Sequence, residues 1–381
     1  MTKPKYRPVG EPIQPSIICL GGGVESLEII KQVKSLGYRP IIMSLPGVPA
    51  QEWVDSFPKA SLNSHLHDSA IFWKADVYNA YSILSNIGLY ARWPNRLDYD
   101  GKEFEWSNIG GILCCAVDSP HAAAVVAEKY RWHTIGADAA LLGVNKYWQW
   151  MRLNRAGIPV PATRIVSPES LWDDVKDYSI VKPVDSRGAR GVLRYDETNW
   201  QSRILQAAQH SKLTSAIAQQ WIDGVQLSTE SVVWNGEVAM TAIGKRNYAR
   251  LNEYAPYVIE DGCDMPMDIT ADDIQKINKV IEQSCRALGW DKLTVKGDLI
   301  LDNYGIVWVI ELAARLSGGY FASHTIPLAY GWNIVQDATL IAMGHKPKIE
   351  FTRRENLQQY VSQRYVFPRK DMIGKRIKDR I

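Results

Sequence analysis

Two acidic residues interrupt apolar runs of the sequence, and their types and spacing are suited to binding a cation. Asp298 lies in the apolar run 295–301 and Glu311 in the run 306–312, with Asp-Asn-Tyr-Gly between the runs. This pattern predicts a β-hairpin. With an even-numbered turn, Asp298 faces Val309, and Glu311 lies diagonally across on the same face, roughly 7–8 Å away. Two such carboxylates, with positions left open for substrate oxygens, suit Mg²⁺ beside phosphates.

A cationic, glycine-rich segment follows the second acid. Arg315 comes shortly after Glu311 in the sequence and is followed by Ser317, Gly318 and Gly319. Glycines allow backbone N–H groups to approach an anion closely. The sequence therefore predicts a cation site, a guanidinium and an anion-binding turn close together. The alternative is a solvent-facing hairpin with two incidental acids, and the apolar neighbours on both strands argue against it.

Length and composition limit the class of protein. The chain has 381 residues, of which 46% are hydrophobic, and its net charge is +3. It is long enough for two or three domains, and its charge is too small to indicate a nucleic-acid partner. Its five cysteines show no C-x-x-C spacing, which fits reduced thiols in a cytoplasmic protein. We expect no membrane span, because no apolar run approaches about 18 residues.

The first third of the chain has the pattern of a doubly wound α/β domain. After a proline-rich arm, a buried strand leads through Gly21, Gly22 and Gly23 into an amphipathic helix and a second strand. The glycines do not fit a dinucleotide fingerprint, but they could receive a substrate carboxylate or phosphate at the helix N-terminus. The predicted strands are residues 16–20, 40–45, 109–116 and a short one near 134–135, with one helix running from after residue 26 to about 36 and another at 122–129.

A second glycine-rich segment lies near the middle of the chain. Residues 185–192 contain two glycines, small residues and two arginines, and they predict a mobile loop that folds over phosphates. An ordinary basic hairpin turn is the alternative. Lys182 lies in the strand predicted just before this loop. A lysine in a buried strand requires an explanation, and a triphosphate supplies one.

These motifs resemble the ATP-grasp superfamily. K-G-D followed by E-x-A-A-R-L-S-G-G resembles its magnesium-binding hairpin. The strings VKPVDSRGARGV, QLSTES, KRNY and ELAARLSGGYF resemble the carbamoyl-phosphate-synthetase-like carboxylate–amine ligases of this superfamily. The resemblance spans residues 16–345. It implies an N-terminal doubly wound α/β domain followed by an α+β ATP-grasp fold of two subdomains.

The resemblance also implies a division of the chain. We expect an arm at residues 1–15 and a Rossmann-like domain at 16–135. The ATP-grasp lid subdomain with its linker would occupy residues 136–222, and the catalytic subdomain 223–345. A basic tail would follow at residues 346–381.

Roles for individual residues follow from the same resemblance. Asp298 and Glu311 would bind one or two Mg²⁺ ions. The residues expected to bind ATP are Lys146, Lys182, Ser186, Gly188, Gly191, Gln219, Trp221, Ile222, Gln226 and Glu230. The expected catalytic residues are Arg315, Arg246 and Lys245, and the expected substrate contacts are Asn247, Ser317, Gly318 and Gly319. Two positions depart from the family pattern, since Ala313 stands where a metal-binding Asn is common and Gln226 where a ribose-binding Glu is common.

The expected activity is that of a cytoplasmic, ADP-forming ligase. It would activate a small-molecule carboxylate as an acyl phosphate and couple it to an amine, in small-molecule or surface-sugar biosynthesis. A homodimer is left open as its assembly. One alternative is a bicarbonate-activating carboxylase or carbamoylating enzyme. The other is an ATP-binding protein without turnover, which the departures at Ala313 and Gln226 would favour.

Overall fold

The computed structural model describes residues 15–57, 70–91, 108–349 and 360–367. All but the last residue of the predicted arm at 1–15, and most of the predicted tail at 346–381, lie outside these ranges. Among the helices that are described, none is long and apolar enough to cross a membrane. The subdomain boundaries expected at residues 136 and 223 remain predictions.

A parallel sheet of four strands, in the order β3-β2-β1-β4, forms the N-terminal unit. Its elements are β1 (Ser16–Leu20), α1 (Val24–Ser35), β2 (Arg39–Ser44), α2 (Pro49–Asp55), β3 (Ile71–Lys74), α3 (Ala80–Ala91), β4 (Ile109–Cys114) and α4 (Pro120–Tyr130). Successive side chains of β1 lie on opposite faces of the sheet and pack in different hydrophobic cores. Ile17 packs in the core that contains α1, and Ile18 in the core that contains α3 and α4. Helices therefore cover both faces, which confirms the doubly wound prediction.

The strand predicted near residues 134–135 is wrong. This segment forms turns between α4 and α5 (Ala137–Leu141). Its backbone is fixed by local and distant contacts, since Thr134 Oγ1 accepts from the N–H of Gly136 at 3.1 Å and His133 Nε2 lies 2.7 Å from the carbonyl oxygen of Lys292. The β-branched pair Thr-Ile favours a strand by residue type, but it is too short to form one against these contacts.

A small antiparallel sheet forms the next part of the chain, in the order β5-β8-β6-β7. Its elements are α6 (Lys146–Arg155), β5 (Thr163–Val166), α7 (Trp172–Val175), β6 (Ile180–Pro183), β7 (Leu193–Arg194), α8 (Trp200–Gln209) and β8 (Ala216–Gln219). Ile204 of α8 packs with Val181 and Leu193 on one face of this sheet. We call residues 186–191, which connect β6 to β7, the lid loop.

A six-stranded sheet in the order β13-β12-β9-β10-β11-β14 forms the core of the remaining described part of the chain. Its elements are β9 (Gly224–Trp234), β10 (Glu237–Asn247), β11 (Gly262–Met265), α9 (Ala271–Leu288), β12 (Leu293–Asp302), β13 (Val307–Ala313), a π-helical turn (Phe321–Thr325), α10 (Ile326–Tyr330), α11 (Ile334–Ala342) and β14 (Val361–Arg364). Val233 and Ile243 face α9, whereas Val232 and Ala242 face the core shared with α1 and α11. The N-terminal unit therefore packs on the second face of this sheet.

The β12–β13 hairpin exists as predicted, but its predicted register is wrong. Asp302 pairs with Ile306, because its N–H donates to the carbonyl oxygen of Ile306 at 3.0 Å, so the turn holds three residues and not two. A β-bulge then leaves Ile310 unpaired, and the pairing moves from Leu299↔Val309 to Asp298↔Glu311. The two carboxylates are directly opposite each other and not diagonal.

The bulge at Ile310 decides which face Glu311 occupies. With a three-residue turn and regular pairing, Glu311 would stand opposite Gly297, and its side chain would point away from that of Asp298. The extra residue reverses this alternation for the rest of the strand. Both carboxylates therefore lie on one face of the sheet.

The outer edge of β13 is held by groups from outside the sheet. Gln149 of α6 accepts from the backbone N–H of Leu312 and donates to its carbonyl oxygen, both at 2.8 Å. The N–H of Val309 donates to the carbonyl oxygen of Pro159 at 2.9 Å. These contacts satisfy an edge that would otherwise be buried without partners, and they fix the strand that carries Glu311.

We expect Gln149→Met to destabilise the protein by about 2 kcal/mol or more, because it leaves the buried N–H and C=O of Leu312 without partners. Chemical denaturation measures the change. The exposed Gln201 of α8 supplies the control, and Gln201→Met should change the free energy of unfolding by no more than about 0.5 kcal/mol. Equal effects of the two substitutions would contradict the role of Gln149.

Candidate active site

One face of the six-stranded sheet carries charged side chains from four neighbouring strands. Asp298 of β12 pairs with Ser228 of β9 on one side and with Glu311 of β13 on the other. Two residues along, Lys296 pairs with Glu230 of β9. Because these are paired positions, their side chains share a face. This arrangement gathers acids and bases that are far apart in the sequence.

Asp298 is held between two cations. Nη1 of Arg246 lies 2.6 Å from its Oδ1, and the ammonium of Lys296 also contacts that oxygen. Burial opposes ionisation, but Arg246 and Lys296 together hold the pKa of Asp298 well below its usual value. Asp298 is therefore an ionised carboxylate, which is the form that binds a cation.

Glu311 lies close to Lys146 of α6 and Lys182 of the smaller sheet. Lys146 Nζ lies 3.1 Å from Glu311 Oε1 and donates to the carbonyl oxygen of Ser186 at 2.5 Å. Its position is set by the start of α6, where the side chain of Asn145 accepts from two backbone N–H groups of the first turn. Lys182 of β6 is 5% exposed, and burial lowers its pKa to about 8. The two predicted lysines thus lie beside the carboxylate pair.

The lid loop contacts the N-terminal unit. Gly188 and Gly191 have φ values of +61° and +77°, which favour glycine. Arg187 stacks on the ring of Tyr78 with 3.6 Å between the guanidinium carbon and the ring centroid, and its Nη1 donates to the carbonyl oxygen of Asp118 at 3.0 Å. The loop therefore spans the gap between the small sheet and the N-terminal unit.

Arg315 is paired with a residue that sequence analysis missed. Its Nε donates to Oδ1 of Asp118 at 3.0 Å, and both side chains are largely buried. Burial opposes ionisation of both groups, but their attraction lowers the pKa of Asp118 and raises that of Arg315. Asp118 follows β4, and functional residues gather at the carboxyl ends of parallel strands. The position of Asp118 after a predicted parallel strand was the sequence signal that could have identified it.

Glu230 holds the glycine-rich segment after β13. It is fully buried, and it accepts from the backbone N–H of Ser317 at 2.9 Å and from the Ser317 hydroxyl. Burial raises the pKa of Glu230 to about 8, although the Ser317 N–H and the charge of Arg315 oppose the shift. A Cβ on Gly318 would lie 2.3 Å from Glu25 Oε2, so the Glu25 side chain of α1 would have to move to make room for a larger residue.

The residues expected near a purine base differ in their burial and in whether their side chains already have hydrogen-bond partners. Gln219 is buried, and its amide nitrogen already donates to Thr163 Oγ1 at 2.9 Å within the small sheet. Trp221 Nε1 donates to Asp223 Oδ1 at 2.8 Å, and Ile222 is buried just beyond the end of β8. Gln226 lies on the same face as Asp298, opposite Ile300 of β12. The Gln219 side chain is thus committed to another contact, and the roles of Trp221, Ile222 and Gln226 toward ATP stay predictions.

Three neighbouring residues of β10 are divided between its two faces. Arg246 lies on the face of the carboxylate pair, and its Nε also donates to Glu260 Oε2 at 2.8 Å. Lys245 pairs with Leu227 on the other face and is exposed. Asn247 lies on that face too, where its Nδ2 donates to Asp264 Oδ2 at 2.9 Å. Strand alternation thus separates Lys245 and Asn247 from the site.

The donor set fits one divalent cation. Asp298 and Glu311 are opposed carboxylates whose side chains keep 20% and 29% exposure, so both can reach a ligand in the cleft. Mg²⁺ in proteins often takes one or two carboxylates, with the remaining positions filled by water and phosphate. In the described parts of the chain, no cluster of three acidic, histidine or cysteine side chains could form a closed metal site.

Comparison with known proteins agrees with this architecture. Residues 144–319 match the family model of the ATP-grasp domain. Similar solved structures include an L-amino acid ligase from Bacillus licheniformis, with 18% identity, a TM-score of 0.65, and coverage of 88% of this chain and 77% of that one. A phosphoribosylglycinamide synthetase from Anaerococcus prevotii has 17% identity and a TM-score of 0.63, with coverage of 89% and 78%. A search of curated proteins gave no match.

A third similar structure is an N5-carboxyaminoimidazole synthetase from Staphylococcus aureus complexed with ADP. Its identity is 13% and its TM-score 0.67, and the match covers 92% of this chain and 82% of that one. At these identities the likeness shows the fold, which is the ATP-grasp fold. Residues 144–319 are therefore similar to the ATP-grasp domain, and the chain has the ATP-grasp fold.

The raised pKa of Glu230 predicts a pH-dependent stability. A glutamate with the ordinary pKa of 4.5 in the unfolded chain and about 8 in the fold favours folding most at low pH. This contribution is lost as pH rises toward 8. We expect the free energy of unfolding of Glu230→Gln to fall less steeply between pH 5 and 8 than that of the wild type, by up to about 1.4 kcal/mol per pH unit.

Denaturant titrations at a series of pH values measure this difference. Glu237→Gln is the control, because Glu237 is exposed at the start of β10 and should leave the pH profile unchanged. Parallel profiles for the wild type and Glu230→Gln would contradict the shifted pKa.

Proposed function

We propose that this protein is an ATP- and Mg²⁺-dependent ligase that joins a small-molecule carboxylate to an amine and releases ADP. The observation that carries the proposal is the direct opposition of Asp298 and Glu311, with Lys146 and Lys182 beside them. The structurally similar proteins include an L-amino acid ligase and a synthetase complexed with ADP, which supports the same reaction class.

The charge distribution suits a triphosphate. Lys146 and Lys182 come from α6 and β6, and they approach the carboxylate pair from the side of the smaller sheet. Lysine ammonium groups neutralise phosphate oxygens, and a dry site strengthens the attraction. The lid loop, which Arg187 ties to the N-terminal unit, would cover the phosphates and exclude water.

Asp298 and Glu311 would hold the metal ion. When bound, Mg²⁺ would neutralise charge that develops on the phosphate oxygens. Arg246 and Lys296 keep Asp298 ionised. Lys146 stays paired with Glu311 until a ligand competes for one of the two charges. The protein's contribution is therefore the placement of fixed charges, which is the main component of catalysis in phosphoryl transfer.

Arg315 would bind the reacting carboxylate. An oxygen of this carboxylate attacks the γ-phosphorus of ATP, the bond to the bridging oxygen breaks, and ADP leaves. The amine nitrogen then attacks the acyl carbon, inorganic phosphate leaves, and the nitrogen loses a proton. Arg315 can contact two oxygens at once, and Asp118 on its Nε fixes the orientation of the guanidinium.

Activation of bicarbonate is a second candidate for the acid. Structural similarity to a biotin carboxylase from Campylobacter jejuni favours it, with 14% identity and a TM-score of 0.62. Under this alternative, ADP formation would require bicarbonate and would not depend on an organic acid.

Turnover assays over pools of acids and amines test the proposal. We expect the wild type to release ADP and phosphate, and Glu311→Gln to release none, because a neutral amide cannot replace the charge that binds the cation. Glu237→Gln, an exposed substitution, should be as active as the wild type. AMP and pyrophosphate as products, or an active Glu311→Gln enzyme, would refute the assignment.

Replacement of Arg315 by lysine tests its role in the transfer step. Arg315→Lys keeps the charge but loses the planar fork, so we expect ATP binding to persist in calorimetry while turnover falls by roughly 10²-fold or more. Arg286→Lys, at an exposed position on α9, should leave turnover unchanged. Normal turnover of Arg315→Lys would show that Arg315 only fixes the loop.

A further inference from the structure

Lys296 occupies a central position, and the proposed reaction uses it only to keep Asp298 ionised. It lies on β12 two residues before Asp298, and its ammonium contacts Asp298 Oδ1. Its side chain is 15% exposed, so it is mostly enclosed by the site. Its neighbours across the sheet are Glu230 on β9 and Ala313 on β13. Asp298 compensates this strongly hydrated ammonium, and an anionic ligand bound beside Asp298 would meet its positive charge as well.

The position across from Lys296 offers no metal ligand. Ala313 pairs directly with Lys296 and presents only a methyl group to the face of the carboxylates. Glu230, on the other side, is directed to Ser317 through both of its oxygens. The carboxylates free to bind a cation are therefore Asp298 and Glu311. Among the described residues, no third acid joins these two in a group that could hold a metal ion.

The fixed charges around these two carboxylates already balance. Arg246 and Lys296 contact Asp298, and Lys146 contacts Glu311. With Glu260 on Arg246, three fixed positive charges stand against three negative ones, so the protein offers no excess negative charge to a pair of divalent ions. Two-metal sites hold their ions about 3.5–4 Å apart, and here a second ion would depend on the phosphates for its compensating charge. One divalent ion is the number that this set can support.

We propose that the protein binds a single divalent cation with its nucleotide, and that the Lys296 ammonium supplies the positive charge a second ion would otherwise bring to the phosphates. This inference rests on the proposed function. Lys296 is suited to the task because Asp298 fixes its ammonium on the face where Asp298 and Glu311 meet. A fixed charge does not dissociate, so excess metal should add nothing.

The metal count is measured without turnover. Mn²⁺ is titrated into the full chain with a non-hydrolysable ATP analogue, and bound Mn²⁺ is counted by electron paramagnetic resonance. We expect one Mn²⁺ per chain in the wild type, and two in Lys296→Asp, which removes the ammonium and adds a third carboxylate. Two ions in the wild type would overturn the inference, and so would a single ion in a folded Lys296→Asp.

Affinity for the analogue provides a second measurement. Lys296→Met should weaken binding of the Mn²⁺-analogue complex by roughly tenfold or more, the effect of losing a charge-assisted contact. Lys296→Arg keeps the charge and should recover most of that loss. Lys279→Met, at an exposed position on α9, is the matched control. Wild-type affinity in Lys296→Met would refute the role of the ammonium.

The two proposals fail in different ways. A wild type that binds no Mn²⁺-analogue complex contradicts the proposed function. A wild type that binds the complex with two ions, or that needs free Mg²⁺ above the amount complexed with ATP for full ADP formation, contradicts only the single-ion inference.

Discussion

A single unpaired residue on an edge strand controls the chemistry that this fold can carry out. The bulge at Ile310 brings Glu311 directly opposite Asp298, and without it the three-residue turn would send the two carboxylates to opposite faces. A bulge at an edge needs outside support because half of its backbone groups have no strand partner. Gln149 and the carbonyl oxygen of Pro159 provide that support. The position of the acid pair thus depends on α6, which also presents Lys146.

The ion pairs of the site explain how so many charges can be partly buried without a ligand. Arg246 compensates Asp298, Lys146 compensates Glu311, and Arg315 compensates Asp118 at the border of the N-terminal unit. An unpaired charge in such surroundings would cost several kcal/mol. Binding of a metal and an anionic nucleotide would exchange these partners: the metal would take the acids, and the phosphates the bases. The net change in burial of charge is then small.

The sequence predicts the strands and helices and many of the charged residues of the site. It does not predict the pairing register of the strands. The apolar runs and the turn residues locate the β12–β13 hairpin, yet a turn of two or three residues and a bulge leave the same pattern of residue types. Asp118 and Lys296 were missed for different reasons. The contact of Asp118 with Arg315 joins residues far apart in the chain. Lys296 appears next to Asp298 in the sequence, but its pairing with Ala313 requires the register.

Asp118 links parts of the molecule that would otherwise act separately. Its carboxylate holds Arg315 of the segment after β13, and its carbonyl oxygen accepts from Arg187 of the lid loop. The carboxyl end of a parallel strand, the usual place for a ligand in a doubly wound sheet, therefore serves here to position groups from the two other sheets. These polar contacts add to the apolar core that Val232 and Ala242 share with α1, which packs the N-terminal unit on the face of the six-stranded sheet that bears Asp298. Without that unit, Arg315 would lose its partner and Arg187 its docking surface.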